Sequence, residues 1–586
     1  MKKEIVSLLL SGSVLVFSVS GCGGTSTDPV VKADAAEETV KEEIEQETEQ
    51  KTEQETQEAV AESAKAKKIR QILKDTEFYD LADVEALKPY YEAAETRKNE
   101  ILNTPTEIVK SDTFIPGETY TGNAYYIDPA GNDENDGLSP ETAWRTFMRT
   151  TWGDVQPGDA VFLKRGEIFR SPESALPILS EVTYSAYGEG SKPVVTRVPE
   201  NSAKPEYWSL YYEGEDGTKI WQYHEDLGDV AGIVFDDESY ASRVTEWPTP
   251  EGWAAVEIKE MDPVHGISTQ DDPCSPVKVV GTGEYRTIEE NLPENLNYIT
   301  RVDLTDLEYP WDPTEEFHSG PLYLRCDEGN PGELYKDIEI LSLLDSGIFS
   351  SDLIVDAYGA DGYVLDNLSV KYYITNAVCG GLFDARDAVI QNCTFEFGGN
   401  RLHTVWSQEP TSGGAYIGDG IYCVANNVTI RDNYMRHGGE GCMFESGMDA
   451  AENMGTYTVT GNLMENCGEG IRIFLWNEDE VDRFEKIIIQ DNYILNSGDS
   501  MNNCCFEEPL AMDLGWEAVR YAKEFDVSNN VMLGSTMSML RIPPSFSVDL
   551  NLHDNVIAQS RDGILMNESQ TGGVMTWYLM SDILGE

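Results

Sequence analysis

The chain has 586 residues, with 42 Lys+Arg against 105 Asp+Glu, a net charge of −63 and a pI near 4.2. That balance excludes a general nucleic-acid binder, which needs a basic footprint, and docking on anionic lipid through charge. Its 40% hydrophobic and 10% aromatic residues suffice for packed cores, and 50 Gly lean towards a turn-rich β protein.

Lys2 and Lys3 precede an apolar run from Ile5 to Val19, too short for a transmembrane helix and shaped like a signal peptide. The run ends in Val19-Ser20-Gly21-Cys22, which resembles the lipobox of bacterial lipoproteins. This resemblance implies that residues 1–22 are a lipoprotein signal and that Cys22 is acylated. The protein would then be lipid-anchored on the extracellular face of the bacterial cell membrane. Residues 23–64 read as a disordered acidic linker, because they hold few large apolar side chains. Asp34 to Glu62 alone carries twelve acids and two lysines, a net of −10, which leaves −53 elsewhere. Residues 65–110 read as a helical stalk or cap, with Ile69, Ile72, Leu73, Leu81, Val84, Leu87 and Tyr91 as its apolar positions.

Residues 111–199 open a β domain. Tyr125-Tyr126-Ile127-Asp128 leads through an Asn/Asp/Gly-rich stretch to Ala143-Trp144, and Val155-Gln156-Pro157-Gly158-Asp159 leads into Ala160–Leu163. Residues 200–340 are rich in Trp, Tyr and Pro, break the later period and read as an inserted β-rich module. From 341 to 586 short β-branched runs recur, each marked by an Asn: Asn367, Asn392, Asn433, Asn462, Asn492, Asn530 and Asn555. The spacings are 25, 41, 29, 30, 38 and 25 residues, a solenoid period with insertions. Asn side chains stacked at one turn can close into an amide ladder.

The opening segment and these coils resemble the right-handed parallel β-helix of the pectin-lyase superfamily. The last coil, ending at Trp577 to Glu586, shows no cap of the kind a solenoid needs. Ten Cys include Cys22, and those at 379, 393, 423, 442, 467, 504 and 505 read as small buried residues of the coils. No Cys or His spacing suggests zinc.

Seven residues after the marker Asn, an acid recurs: Glu440, Glu469, Asp499 and Asp562, with Met537 breaking the column. Carboxylates on stacked strands lie ~5 Å apart, and their repulsion raises some pKa values or recruits a cation. General acid/base work and calcium binding are both open, with Asp499 and Asp562 as the calcium candidates. The order Gly418-Asp419-Gly420, Gly439-Glu440-Gly441, Gly468-Glu469-Gly470, Ile471-Arg472-Ile473 is similar to that of polygalacturonase-type glycoside hydrolases. It departs from their pattern: the acid pair is a single Glu440, Glu469 stands for a His, and Arg472 comes one coil early. The resemblance implies catalysis by Asp419 and Glu440, with Glu469 and Arg472 in support. Trp406, Trp476 and His437 are the candidates for sugar binding. A polysaccharide is the expected substrate, a glycoside hydrolase the expected activity and a monomer the expected state. Two alternatives stay open: a calcium-dependent polysaccharide lyase, and a non-catalytic glycan-binding or adhesin-like β-helix.

Overall fold

The computed structural model describes residues 63–215, 217, 219–227, 230–243, 279–281, 284–286, 297–300, 320–342, 353–357, 359–374, 376–379, 385–405, 413–417, 419–423, 425–446, 455–475, 484–500, 509–515, 522–543, 550–570 and 574–585. All belong to the second of two compact units, Ser63–Glu586. Cys22 and residues 23–62 of the expected linker lie outside the described residues, while Ser63 and Ala64 already belong to the first helix and its cap.

Three long sheets of eleven, ten and ten strands run side by side, each built from one short strand per coil. Neighbours within a sheet are parallel throughout, except for the closing strand Val574–Leu579 of the third. Sequence-adjacent strands therefore sit in different sheets, while hydrogen-bonded neighbours come from successive coils. That is a parallel β-helix, and its inward residues form one apolar column from Tyr125 to Met580.

The Asn pattern separates into two positions. Asp366, Gln391, Arg431, Thr460, Gln490, Ser528 and His553 align in the first sheet. The next residue of each coil has φ between +53° and +66°: Asn367, Asn392, Asp432, Gly461, Asp491, Asn529 and Asp554. Asn, Asp and Gly tolerate this left-handed backbone best. One residue further stand Leu368, Cys393, Asn433, Asn462, Asn492, Asn530 and Asn555. Only the last five form the ladder. The oxygen of Asn462 accepts both the backbone and the side-chain N–H of Asn433, each at 3.0 Å, and the pattern repeats through Asn492, Asn530 and Asn555. Asn367 and Asn392 are turn residues, not rungs of the ladder.

The last coil does have a cap, and it comes from the other end of the described chain. After the helix Ala64–Ile72, Leu73–Lys74 pairs with Leu550–His553 in the first sheet, and Glu77–Asp80 pairs with Val556–Gln559 in the second. Lys68 Nζ meets Glu568 at 2.5 Å, and Lys65 meets Asp582 at 3.1 Å. The helix Val84–Asn103 then lays Leu87, Ala94 and Ile101 across Tyr434, Leu463, Leu495, Val531 and Ala558 of the second sheet. A helix of 20 residues is ~30 Å long, the reach of about six rungs at ~4.8 Å. Arg97 donates to Gly461 O and pairs with Asp432, and Lys98 pairs with Glu465 at 2.8 Å. At its far end Arg165 holds Thr104 O at 3.0 Å and Asn367 Oδ1 at 2.8 Å. Residues 63–106 thus act as a strap that caps one end of the solenoid and runs back along it. Among the described residues no helix is long and apolar enough to cross a membrane.

The first coil starts at Ala124–Ile127. Trp144 is fully buried there and donates to Asn135 O at 3.0 Å. A β-carbon on Gly137 (φ +71°) would fall 2.4 Å from its ring, which accounts for this glycine. Two 3-10 turns, Pro140–Thr142 and Phe147–Trp152, follow the opening strand. Between Val194–Thr196 and the return of the coil at Val355–Asp356, the chain leaves the solenoid. It builds a five-stranded sheet from Trp208–Glu213, Lys219–Leu227, Ser242–Arg243, Asn297–Thr300 and Gly320–Arg325, and a three-stranded one from Val230–Phe235, Ser239–Tyr240 and Ile338–Ser342. Trp208, Tyr223, Ile233, Phe235, Leu322 and Leu324 give this inserted module its own core.

Candidate functional site

The third sheet carries most of the candidate residues, and its register decides which of them share a row. Asn376 pairs with Asp419, Ile421 with Cys442, and Glu440 with Glu469. Asp419, Glu440 and Glu469 therefore begin three adjacent strands at one level, ~4.8 Å apart along the axis. Backbone register places Asp419 and Glu440. Glu469 is fully buried, and its N–H donates to Gly439 O at 2.7 Å.

The row of acids stops there. Ile471 pairs with Met512, Leu510 with Ser538, and Ser538 with Ile564. In the next three coils the level of Glu469 is thus held by Leu510, Ser538 and Ile564. Asp499 lies in the connection that precedes Leu510–Asp513, and Asp562 lies two residues ahead of Ile564. The two calcium candidates do not join the acid row. Among the described residues no group of three or more His, Cys, Asp or Glu is placed to hold a metal ion.

One level further along the strands lies a second row. Ile421, Ile471, Met512, Leu540 and Met566 face the core. Alternation turns the residue after each outward: Tyr422, Arg472, Asp513, Arg541 and Asn567. Backbone register aligns them from coil to coil, with Met443 between Tyr422 and Arg472. Although outward, the last four are buried: Arg472 is 6% exposed, Asp513 1%, and Arg541 and Asn567 0%. Arg541 Nη1 donates to Asp513 Oδ2 at 2.8 Å, and Arg472 Nε lies 4.0 Å from the same oxygen. The N–H of Gly515 donates to Asp513 Oδ1 at 3.0 Å. Taking such charges out of water costs several kcal/mol per ion, and apolar residues of the same volume often serve a fold better. A charged row retained at the edge of an acid row is therefore a functional candidate.

Of these residues only Arg472 stands out in the sequence; Asp513, Arg541 and Asn567 emerge from the strand register. A signal was present, because Leu540-Arg541-Ile542 repeats Ile471-Arg472-Ile473. Counting from the marker Asn hid it, since Arg472 stands ten residues after Asn462 but Arg541 eleven after Asn530.

His437 sits apart from both rows, at the corner between the second and third sheets. It is 7% exposed, stacks on Phe397 with ring centroids 5.4 Å apart, and meets the edge of Tyr240 at 5.3 Å. Burial, reinforced by the charges of Arg436 and Lys98, pushes its pKa down to about 3, so the imidazole is neutral. Trp406 and Trp476 lie outside the described residues. Cys326, Cys379, Cys393 and Cys467 are buried, and burial raises the thiols of Cys393 and Cys467 to about 12.

A family model described as a protein of unknown function, DUF1565, matches residues 390–542. No curated protein matches the chain. Among solved structures, the chain is similar to a complex of XylC with xylose, at 11% identity over 74% of this chain and 69% of that one, TM-score 0.37. A GH136 lacto-N-biosidase from Eubacterium ramulus gives 11% identity over 76% and 68%, TM-score 0.33. A rhamnogalacturonan lyase gives 10% over 78% and 79%, TM-score 0.34. The strand register is what carries the fold assignment: this chain is a parallel β-helix with an inserted β module and an N-terminal strap.

Proposed function

We propose that this chain is a carbohydrate-active protein of the cell surface that hydrolyses a polysaccharide. The observation that carries the reading is the register of Asp419, Glu440 and Glu469 on three adjacent rungs beside the buried Arg472–Asp513–Arg541 row. Glycoside hydrolysis needs one carboxyl group to protonate the leaving oxygen and a second to attack carbon or activate water. Rungs ~4.8 Å apart suit the ~5–5.5 Å of a retaining pair, whereas the outer two acids, two rungs apart, approach the ~9.5 Å limit of an inverting pair.

The guanidinium of Arg472 favours a second reading, a polysaccharide lyase, in which it neutralises the carboxylate of a uronate. A panel of neutral and uronate-containing polysaccharides separates the two. New reducing ends without unsaturation indicate the hydrolase, and absorbance from an unsaturated uronate indicates the lyase. On the substrate so found, Glu440→Gln and Asp419→Asn are each expected to lower kcat at least ~10²-fold. Full activity in both variants would sink the site assignment. Proton NMR of the first-formed anomer then reports which pair of rungs works.

The address belongs to the same proposal. The lipobox-like Val19–Cys22 supports lipid anchoring on the outer face of the membrane, with the β-helix acting as a monomer. Cys22→Ser is expected to move the protein from the membrane fraction to the soluble fraction. A protein that stays in the membrane fraction would overturn the anchor.

A further inference from the structure

The corner between the second and third sheets repeats in every coil from Ser369 to Ser535. Register through Ser369, Thr394, Tyr434, Leu463, Tyr493 and Val531 aligns the residues three positions on. These are Tyr372, Phe397, His437, Asn466, Asn496 and Gly534, and all six have φ between +54° and +77°. Asn and Gly suit this left-handed turn, and Asn496 even donates to Asn466 Oδ1 at 3.2 Å. Tyr and Phe do not, since a bulky side chain strains there, whereas His, like Asn, enters this region more readily.

The three ring-bearing residues at this corner have one feature in common. They stack on one another, with Tyr372–Phe397 centroids 5.8 Å apart and Phe397–His437 centroids 5.4 Å apart. The inserted module seats on that stack. Val234 and Leu341 of the module pack with Tyr372, Ile374 and Phe397. Asp237 takes Lys371 Nζ at 2.6 Å and the Tyr372 hydroxyl, while its carbonyl takes Arg436 Nη2 at 3.0 Å. Tyr240 closes over His437, whose buried Nδ1 has no hydrogen-bond partner among the described residues. A buried nitrogen without a partner costs free energy, so packing alone does not recommend a histidine there.

His437 is three residues from Glu440. The turn between them is tied to both neighbouring coils: Gly398 N–H donates to His437 O at 2.8 Å, Gly468 N–H to Gly438 O at 2.9 Å, and Glu469 N–H to Gly439 O at 2.7 Å. Ser500 Oγ adds a bond to Gly438 O at 2.9 Å. We propose that Tyr240 of the inserted module and His437 form a clamp that positions the Gly438–Gly439 turn, and through it Glu440 and Glu469. The module is then a working part of the site. The catalytic half of this inference rests on the hydrolase reading above, and the mechanical half does not.

His437→Asn tests it cleanly, because Asn is what the next two coils carry at this corner and the backbone there suits it. Tyr240→Ala removes the clamp from the other side, and Tyr240→Phe keeps the ring. In the full chain, amide exchange of peptides covering residues 438–446 is expected to speed up about tenfold in His437→Asn and Tyr240→Ala, with recovery in Tyr240→Phe. On a polysaccharide turned over by the wild type, kcat is expected to fall about tenfold or more with KM within about threefold. Unchanged exchange in both variants overturns the clamp. Faster exchange with unchanged kcat overturns its positioning role and leaves the hydrolase reading standing. If the wild type turns over no polysaccharide, the hydrolase reading fails, and exchange alone decides the clamp.

Discussion

Asn492→Ala is expected to lower the unfolding free energy by about 4 kcal/mol, one of the largest effects of any single truncation in the coils. Asn492 sits in the middle of the five-rung ladder and is fully buried. Its oxygen accepts from Asn462 N and Nδ2, both at 3.0 Å. Its Nδ2 donates to Val459 O at 3.0 Å and to Asn530 Oδ1 at 2.9 Å. Alanine therefore strands a backbone N–H and weakens the satisfaction of a carbonyl and two amides, none within reach of water. Each stranded buried group costs about 1–3 kcal/mol. Urea titration followed by circular dichroism gives the change in midpoint. A loss below about 1 kcal/mol would show that the neighbouring coils relax enough to re-pair these groups.

The same ladder shows what could be read from the residues alone. Short strands with an Asn every 25–30 residues are visible in one chain, because the amide must recur wherever the turn recurs. What the spacing could not separate was the ladder position from the left-handed position before it, since Asn serves both. Asn367 and Asn392 were therefore expected in the ladder, where Leu368 and Cys393 stand instead. Asp499 and Asp562 fall out of the acid row for a related reason. A fixed offset of seven holds only while the corner keeps one length, as in the coils of Asn433 and Asn462. The connection before Leu510 displaces Asp499, and the longer corner after Asn555 displaces Asp562.

The cap was hidden by distance. Leu73–Lys74 and Glu77–Asp80 are strands of two and four residues whose partners lie nearly the whole domain away in sequence. No local pattern reports such a pairing. The helix after them was legible as a helix, but not the face it buries. Val84 and Tyr91 read as apolar contacts and are exposed, whereas Leu87, Ala94 and Ile101 do the packing. Their spacing of seven matches one stripe of a helix lying along regularly spaced rungs. The module's seat was not legible either. Tyr372, Phe397 and His437 look like ordinary strand residues until the register shows them at a turn where the other coils carry Asn or Gly.

Acid should weaken the protein through His437. In the folded state its imidazole is held neutral, with the pKa pushed down to about 3 from an ordinary 6.5. The unfolded chain takes up a proton below about pH 6.5 and the folded protein does not. Proton uptake then draws the equilibrium towards unfolding as the pH falls, by about 1.4 kcal/mol per pH unit, until the folded imidazole itself protonates near pH 3. Summed over that window, wild type is expected to lose about 5 kcal/mol that His437→Asn keeps. Other groups titrate in the same range. Salt bridges and hydrogen bonds hold Asp237 and Glu465 below the usual carboxylate range, so their contributions also fade in acid, but they do so in both proteins. The difference between the two stability curves from pH 7 to pH 4 isolates the imidazole, whatever constant offset the substitution brings at neutral pH. A flat difference would show that His437 is protonated or hydrated in the folded state. A rising one would mean that the neutral imidazole at the seat of the inserted module draws the fold towards unfolding as the pH falls.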